Sequence, residues 1–329
     1  AQITTTTQLN ESKLVVQKKC LTLSEKRRKL AEQKKQKEGK KQNLEAISPS
    51  ESQINTLIEQ YQNGQYDNAE KLAKFITQEF PKHQFGWKVL AVVLKQNGRF
   101  PESLVPSKKA VTLSPQDAEA HSNLGNTLAE LGRSEEAEVS YTQAISLKPD
   151  YAEARNNLAI MLQKLGRLEE AEASYSQAIA LKPDYAAAHY NLGNALKELG
   201  RLEEAEASYT QAISLKLDYA EAHNNLAITV KELGRLDEAE ASYTQAIAFK
   251  PNYAEAYNNL GNTLQELGRL GEAEASYRRA IASKLDYAEA HSNLGKILLK
   301  NGQHREGLNE ILVGDGFVSF DLKNGLSIL

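Results

Sequence analysis

The 34 residues from Ala186 to Tyr219, AAAHYNLGNALKELGRLEEAEASYTQAISLKLDY, decide how this chain folds. Closely similar segments of the same length lie before and after them. One glycine keeps its place in every segment, with no insertion or deletion between its copies: Gly64, Gly98, Gly132, Gly166, Gly200, Gly234, Gly268 and Gly302. Strict repetition at this period is typical of a solenoid, in which each repeat is stable only because it stacks on its neighbours.

Each repeat predicts two helices. In the repeat that begins at Ala118, small or apolar side chains recur every three or four positions and form one helical face: His121, Leu124, Gly125, Leu128 and Leu131. Gly132 predicts the end of this helix, because glycine adopts the left-handed conformation that helix ends favour. A second helix follows from about Ser134 to Pro149, where proline lacks the N–H for another helical bond. Its predicted buried side chains are Ala137, Tyr141, Ala144 and Ile145.

An acidic pair at the start of several repeats predicts a helix cap. Glu153 follows Asp150 by three residues, which is close to a capping box. The same pair recurs as Asp218 with Glu221 and as Asp286 with Glu289. We therefore expect these aspartate side chains to cap the first helices.

The spacing of seven residues in this repeat resembles that of the tetratricopeptide repeat: His121, Leu124, Gly125, Leu128, Ala137, Tyr141 and Pro149. Trp87 occupies the aromatic position of an earlier repeat. The resemblance covers about residues 50 to 313 and implies an all-helical fold, a right-handed superhelical solenoid of about eight antiparallel helix pairs. Arg155 departs from the aromatic position, and Leu217 and Leu285 replace the final proline, which predicts two less rigid turns.

The repeats divide the chain into five segments. Residues 1–49 form a basic tail, and residues 50–117 hold two divergent repeats. Residues 118–287 hold five regular repeats, residues 288–313 a degenerate last repeat, and residues 314–329 a C-terminal tail. We interpret the divergent repeats as caps, because terminal repeats have one face in solvent.

Two prolines distinguish the second divergent repeat. Pro101 is compatible with the first turn of a helix, where no N–H is needed. Pro106 falls further along and should shorten or kink that helix.

The basic tail differs in charge from the rest of the chain. Residues 1–50 hold 12 Lys and Arg against 5 Glu, a charge of +7. Because the whole chain has a net charge of −3, the remaining 279 residues carry −10. The tail has few apolar residues and no aromatic ones, which predicts a disordered or partly helical segment. Attraction to nucleic acid or an anionic membrane, and docking onto the acidic repeats, are the alternatives.

The C-terminal tail changes its pattern from a helical to an alternating period. Val318, Phe320 and Leu322 alternate, and Leu326 and Ile328 alternate after them. Asn324-Gly325 between them is the favoured dipeptide of a two-residue β-hairpin turn. We expect a hairpin that either packs as a cap against the last helices or begins a further domain.

Composition and motifs argue against catalysis. The sequence contains no GxSxG, HExxH, GxxxxGK[ST] or GxGxxG motif, so we expect a non-catalytic protein without a cofactor. The single Cys20 allows no internal disulfide, and no apolar run reaches the roughly 18 residues of a membrane span. With no visible signal peptide, these features predict a cytoplasmic location, although a chain that begins at Ala1 is compatible with a fragment.

Four histidines also fail to predict a metal site: His121, His189, His223 and His291. They recur on successive first helices, whose axes lie about 8 to 10 Å or more apart. Zinc needs nitrogens within about 2.1 Å of one ion, so these side chains cannot converge. We expect them to fill the aromatic position instead.

Two columns of asparagine are the candidate binding residues. The first column lies on the first helix of each repeat: Asn123, Asn157, Asn191, Asn225, Asn259 and Asn293. The second follows a glycine in alternate repeats: Asn126, Asn194 and Asn262. An amide can hydrogen-bond the backbone of an extended peptide whatever its sequence. The first column is similar to the asparagine ladder of O-linked N-acetylglucosamine transferases, and the resemblance implies peptide binding on the concave face. A structural role between neighbouring helices is the competing hypothesis.

Two sets of glutamate make the same surface acidic and predict a preference for basic ligands. The first set, explained locally by helix starts, is Glu119, Glu153, Glu221, Glu255 and Glu289. The second set, for which the sequence offers no local partner, is Glu130, Glu198, Glu232 and Glu266.

These observations predict a protein-interaction scaffold that binds a peptide segment or partner protein in its groove. The alternative is the substrate-recognition region of a larger enzyme, since glycosyltransferases, sulfotransferases and oxygenases carry similar arrays. End-to-end self-association of the near-identical repeats is a further hypothesis. A lysine-rich run without interleaved aromatics does not predict specific nucleic-acid binding.

Overall fold

The computed structural model describes residues 48–315, 319–321 and 325–327. The chain separates into two compact units, residues 1–115 and residues 116–329, which we call the N-terminal and the C-terminal unit. The prediction of a disordered or partly helical basic tail falls on residues 1–47, outside the described residues.

The described part of the N-terminal unit consists of four helices: α1 (Glu51–Gln62), α2 (Tyr66–Glu79), α3 (Gln84–Gln96) and α4 (Phe100–Leu113). Ser50 caps α1 through a capping box with Gln53. Leu57, Ile76 and Val93 are fully buried among α1, α2 and α3. The unit therefore has its own apolar core.

Helix α4 corrects one expectation. Pro101 lies in its first turn, as predicted. Pro106 does not shorten the helix, which continues through it to Leu113. The hydroxyl of Ser107 donates to the carbonyl of Ser103 at 2.8 Å, so a side chain adds a hydrogen bond at the turn where proline provides none.

The helical part of the C-terminal unit consists of six helix pairs. The first helices of the pairs are α5 (Ala118–Glu130), α7 (Ala152–Lys164), α9 (Ala186–Glu198), α11 (Ala220–Glu232), α13 (Ala254–Glu266) and α15 (Ala288–Lys300). The second helices are α6 (Ser134–Leu147), α8 (Leu168–Leu181), α10 (Leu202–Leu215), α12 (Leu236–Phe249), α14 (Leu270–Ser283) and α16 (His304–Asp315). This agrees with an all-helical array of antiparallel pairs.

The recurrent glycines separate the two helices of each pair, as the sequence predicts. All eight have φ between 70° and 80°, the left-handed region that side chains with a Cβ rarely adopt. Gly200, for example, has φ of 74° between α9 and α10. The strict period of the sequence thus reflects one backbone conformation that recurs in every repeat.

The predicted capping boxes of the C-terminal unit are wrong. The residues at the N-cap of α7, α11 and α15 are Tyr151, Tyr219 and Tyr287, and none makes a side-chain capping bond. Asp150 contributes its main-chain carbonyl, which accepts a hydrogen bond from the N–H of Ala152 at 3.1 Å. Asp218 and Asp286 do the same, because the turn places them one residue too early to cap. In α5, Asp117 does cap the helix and accepts from Glu119 and Ala120.

The aromatic position of the repeat has a common hydrogen bond. The ring N–H of Trp87 donates to the carbonyl of Pro81 at 2.9 Å, six residues earlier. In the same way Arg155 donates to Pro149 at 3.0 Å, and rings of His189, His223 and His291 lie 3.0 Å from the carbonyls of Pro183, Leu217 and Leu285. Arg155 therefore replaces an aromatic residue without loss of the bond. Leu217 and Leu285 supply the same carbonyl as proline, so the turn keeps its bond.

The core of the C-terminal unit is built from alanine and tyrosine. Each second helix through α14 buries one alanine-tyrosine pair against its first helix, such as Ala205 and Tyr209 in α10, both 0% exposed. Gly193 on α9 makes room for the Tyr209 ring, since a Cβ there would lie 2.6 Å from the ring atom Cε1. In the last pair Ile311 takes the tyrosine position and packs on Gly295. Small residues on one helix thus accommodate the large ring of the other.

Successive repeats are joined on both sides of the stack. Each first helix contacts the first helix of the next repeat, whereas successive second helices come less close together in the described residues. The second helices are linked instead by arginine. Arg201 at the start of α10 pairs with Glu204 at 2.5 Å and with Glu172 of α8 at 2.6 Å.

Two short strands follow α16: β1 (Ser319–Asp321) and β2 (Gly325–Ser327). They pair antiparallel, with Phe320 opposite Leu326 and Asp321 opposite Gly325. The predicted two-residue turn at Asn324-Gly325 is wrong, because Gly325 belongs to the ladder. Residues 316–318, 322–324 and 328–329, which include other parts of the predicted hairpin, lie outside the described residues.

Candidate polypeptide-binding groove

The surface shared by the first helices α5, α7, α9, α11, α13 and α15, which we call the groove, carries the predicted asparagines. All residues of both asparagine columns are half-buried, and they lie where one first helix meets the next. Their amides are therefore close enough to bond across repeats, and most of them do.

In repeats with the glycine-asparagine pair, a buried tyrosine anchors the amide. The hydroxyl of Tyr209 donates to Oδ1 of Asn194 at 2.8 Å, and Nδ2 of Asn225 in the next repeat donates to the same oxygen at 2.9 Å. Tyr141, Asn126 and Asn157 repeat this triad, as do Tyr277, Asn262 and Asn293. Each triad joins three helices through one amide oxygen.

In the repeat with Ala159 and Ile160, other residues replace the missing asparagine. The hydroxyl of Tyr175 donates to Oε1 of Gln163 at 3.0 Å. Asn191 donates to Oδ1 of Asn156 in the preceding repeat at 3.1 Å. The repeat keeps a tyrosine bond and an inter-repeat bond, but with different partners.

Sequence reasoning missed a third set of asparagines: Asn156, Asn224 and Asn258. They are buried, at 4%, 1% and 0% exposed. Nδ2 of Asn156 donates to Asn157 at 3.3 Å, and Asn258 accepts from Asn293 at 3.1 Å. The signal for them is the Asn-Asn doublet, which occurs at 156–157, 224–225 and 258–259.

These contacts leave few amide groups of the first column uncommitted. Asn157 and Asn225 each donate through Nδ2 and accept through Oδ1. Among the described residues Asn191 bonds only through Nδ2, so that its oxygen is available. Asn259 makes no side-chain hydrogen bond within the described residues. Asn191 and Asn259 are therefore the members best placed to contact a ligand directly.

Three cavities follow one another along the groove, each at a junction between repeats. The first, of about 150 Å³, lies between Asn126, Tyr141 and Asn157. The second, of about 380 Å³, lies between Asn194, Tyr209 and Asn225. The third, of about 370 Å³, lies between Ile228, Tyr243 and Asn259. A polar row of depressions thus repeats with the helices.

The second set of glutamates has partners that the sequence did not reveal. Glu232 pairs with Lys197 of the preceding repeat at 3.2 Å, and Glu266 pairs with Lys231 at 2.7 Å. Glu198 accepts a hydrogen bond from Gln163 at 2.5 Å. These side chains line the rim of the groove, and their charge is partly compensated by lysine.

Burial raises the pKa of the tyrosine hydroxyls on the second helices above the ordinary value of 10.0, and nearby glutamates add to the effect: Tyr141, Tyr175, Tyr209, Tyr243 and Tyr277. They therefore remain neutral near neutral pH and can donate to an amide. The tyrosines immediately before the first helices have a different environment, because a lysine ammonium lies 4.3 to 5.2 Å from the centroid of each ring: Tyr151, Tyr185, Tyr219, Tyr253 and Tyr287.

The geometry defines a helical-repeat solenoid with a polar groove, and comparison with known families gives the same result. A model of the TPR repeat matches residues 125–166, 161–200, 193–234, 229–268 and 264–302, and a second tetratricopeptide repeat model matches residues 108–139. Together they cover more than half of the chain. The chain belongs to the tetratricopeptide repeat family.

The similar solved structures are distant in sequence. The Cut9-Hcn1 hetero-tetramer of the APC/C aligns at 16% identity over 80% of this chain and 53% of that one, with a TM-score of 0.55. PilF of Pseudomonas aeruginosa aligns at 19% identity over 61% of this chain and 90% of its own, with a TM-score of 0.55. YrrB, described as a TPR protein with an unusual peptide-binding site, aligns at 23% identity over 56% and 95%, with a TM-score of 0.48. A search of curated proteins gave no match.

Two further features concern the described residues alone. None of their helices combines the length and the apolar character that a membrane span requires. Within the same residues, no three His, Cys, Asp or Glu side chains gather in an arrangement that could hold a metal ion.

Proposed function

We propose that this protein is a non-catalytic interaction scaffold that binds an extended polypeptide along the groove of its C-terminal unit. TPR-type helical repeats are typical of such scaffolds. The row of three polar cavities, each between consecutive first helices, is the observation that carries the proposal.

The spacing of the cavities suits an extended chain. Neighbouring helix axes lie about 8 to 10 Å apart, and an extended polypeptide advances about 3.3 Å per residue. One repeat therefore corresponds to about three ligand residues. The second and third cavities lie one repeat apart and the first and second lie two repeats apart, so that about three and about six ligand residues span these distances. Each cavity is lined by both charge signs: Glu130 and Lys164 at the first, Lys197 and Glu198 at the second, and Lys231 and Glu232 at the third.

The asparagine columns have two roles under this proposal. Members that bond across repeats, such as Asn157 and Asn225, hold the first helices in register. The free oxygen of Asn191 and the free amide of Asn259 bind main-chain groups of the ligand. The similarity of the column to the ladder of O-linked N-acetylglucosamine transferases stays a prediction, as does the direct peptide contact of every member.

Photocrosslinking on the full-length protein tests the proposal. A dodecapeptide phage library is first panned against the immobilised protein to obtain a ligand. Benzoylphenylalanine then replaces either Lys164, which is exposed at the first cavity, or Val139, which is 69% exposed on the second helix α6. We expect the selected peptide to crosslink to position 164 and not to position 139. Failure to enrich any peptide, or crosslinking confined to position 139, would overturn the scaffold in this form.

A further inference from the structure

The third cavity, between α11 and α13, differs from the others in its buried tyrosine. Tyr243 is 1% exposed and lines the cavity, yet its hydroxyl has no hydrogen-bond partner among the described residues. The equivalent hydroxyls of Tyr141, Tyr175, Tyr209 and Tyr277 all donate to an amide oxygen at 2.8 to 3.0 Å. Because Tyr243 lines the open cavity and its hydroxyl bonds no neighbouring amide, this hydroxyl is available to a ligand.

Two residues of the same repeat explain the missing bond. Ile228 stands where Asn194 and Asn262 provide an acceptor in other repeats. Lys231 occupies the position at which Gln163 accepts the tyrosine hydrogen bond in the repeat of Ile160. Lysine cannot take over this role, because an ammonium group cannot accept a hydrogen bond. Lys231 instead pairs with Glu266 at 2.7 Å. This combination of isoleucine and lysine occurs in one described repeat, that of α11 and α12.

The asparagine ladder is interrupted at the same junction. Oδ1 of Asn224, which is 1% exposed, has no hydrogen-bond partner in the part of the chain that the structure describes. Its equivalents Asn156 and Asn258 accept from the asparagine of the next repeat at 3.1 Å. The corresponding donor, Asn259, makes no such bond, and its side chain lines the cavity. Two polar side chains that line the cavity, Tyr243 and Asn259, thus have no hydrogen-bond partner among the described residues.

The charge around the cavity is negative by one unit. Three carboxylates lie around it: Glu232, Glu255 and Glu266. Two of them are neutralised by ammonium groups, since Lys197 pairs with Glu232 and Lys231 pairs with Glu266. Glu255 makes no ion pair within the described residues. In the next repeat the equivalent Glu289 accepts a hydrogen bond from Asn258 at 3.0 Å. Glu255 lacks this bond, because Asn224, the equivalent of Asn258, donates to Asn225 instead.

We propose that this cavity is a subsite for the basic side chain, arginine or lysine, of a bound polypeptide. The inference rests on the proposed scaffold function and specifies the ligand at one position. A guanidinium or ammonium group would pair with the Glu255 carboxylate, while the Tyr243 hydroxyl and the Asn259 amide oxygen accept further hydrogen bonds. Ile228 forms the apolar wall against which the aliphatic part of the side chain packs. Arginine is the better fit, since its planar group directs five donors to several acceptors at once.

Two small probes of the same shape test the subsite on the full-length protein. N-acetyl-arginine N-methylamide carries the charge, and N-acetyl-citrulline N-methylamide lacks it. Binding is measured from NMR shifts of the Asn259 side-chain amide. The variants are Glu255→Gln, Tyr243→Phe and, as matched control, Glu153→Gln, whose carboxylate occupies the same repeat position but pairs with Lys182 at 3.3 Å.

We expect the citrulline probe to bind the original protein about fivefold more weakly than the arginine probe does, because one charge-assisted hydrogen bond is lost. The arginine probe should bind Glu255→Gln about fivefold more weakly for the same reason. Tyr243→Phe should weaken arginine binding about two- to threefold, and Glu153→Gln should leave it unchanged. Equal binding of the two probes, equal effects of the two glutamine variants, or no shift at Asn259 would each overturn the subsite. The scaffold proposal is judged separately by crosslinking of the selected peptide at position 164.

Discussion

A single hydroxyl distinguishes otherwise similar repeats, and its bond to an amide is measurable. Tyr209→Phe removes the bond to Asn194, so that we expect a loss of about 1 kcal/mol in the free energy of unfolding. Tyr243→Phe removes a hydroxyl that has no hydrogen-bond partner among the described residues, and the stability of this variant should match that of the original protein. Urea unfolding followed by circular dichroism measures both. Equal losses in the two variants would contradict the assignment of partners.

A missing side chain is equally important where helices meet. A Cβ at Gly193 would lie 2.6 Å from Cε1 of Tyr209, so the buried ring must move. We expect Gly193→Ala to destabilise the protein by about 1 to 3 kcal/mol, the usual effect of overpacking a core.

Gly271 provides the matched control for this substitution. It lies on α14 without a left-handed φ, and a Cβ there would meet nothing within 4 Å. Gly271→Ala should keep the stability or raise it by up to about 1 kcal/mol, because alanine favours helix. If thermal unfolding showed the same change for both variants, steric contact with Tyr209 would not be the cause.

For individual residues, the sequence predicts conformation and burial better than it predicts hydrogen-bond partners. The glycine period predicts the left-handed turns and the buried tyrosines, since both follow from one repeat. The partners of the asparagines lie 31 or 35 positions away, as in the bonds of Asn157 with Asn126 and of Asn191 with Asn156. Such pairs depend on how one helix sits against the next. Pattern within a repeat therefore could not distinguish a ladder from a ligand contact.

At the scale of elements, helix ends are held by groups that differ in chemistry. The carbonyl six residues earlier is contacted by one arginine, one tryptophan and three histidines. Residue type alone therefore does not predict that Arg155 and His189 make the same contact. The aspartate caps failed for the related reason that the turn places Asp150 two residues before the helix. Local motifs predict the boundary of a helix better than the atoms that stabilise it.

Helix α11 also has a titratable link to the end of α12. The ammonium of Lys250 bonds Glu221 at 2.9 Å, and this bond lowers the pKa of the carboxyl below its ordinary value of 4.5. A depressed carboxyl pKa in the folded state contributes stability above the unfolded pKa, and that contribution is lost as the pH falls through the folded pKa. The link should therefore weaken below about pH 4.5.

Glu221→Gln tests this dependence, because glutamine does not titrate. We expect the decrease in melting temperature between neutral and acidic solution to be smaller in Glu221→Gln than in the original protein, by a small amount since the pair is largely exposed. Lys250→Met removes the other partner and should reduce the decrease in the same direction. An unchanged acid dependence in both variants would show that the pair contributes nothing to folding.

At the scale of the molecule, the period of the sequence has a direct structural consequence. Contacts of the C-terminal unit join neighbouring helices, and first helices contact the first helix of the next repeat. The groups that join repeats recur at equivalent positions, such as Arg167, Arg201 and Arg235 on one side and Asn157, Asn191 and Asn225 on the other. Repeats that carry these groups can therefore follow one another with these bonds preserved.

Deletion of residues 152–185 tests this interchangeability. The deletion brings Asn191 to the place of Asn157, next to Asn126, and Arg201 to the place of Arg167, next to Glu138. We expect a folded protein with unchanged helical signal per residue and lower stability, because each repeat contributes its own interface. Deletion of residues 152–168, half of a repeat, is the control, and it should lose helical signal because α8 then has no first helix beside it. The arginine probe should bind the longer deletion as before, since Tyr243, Glu255 and their neighbours from Lys197 onward are retained. Equal loss of structure in both deletions would mean that the repeats depend on their order, and not only on their nearest neighbours.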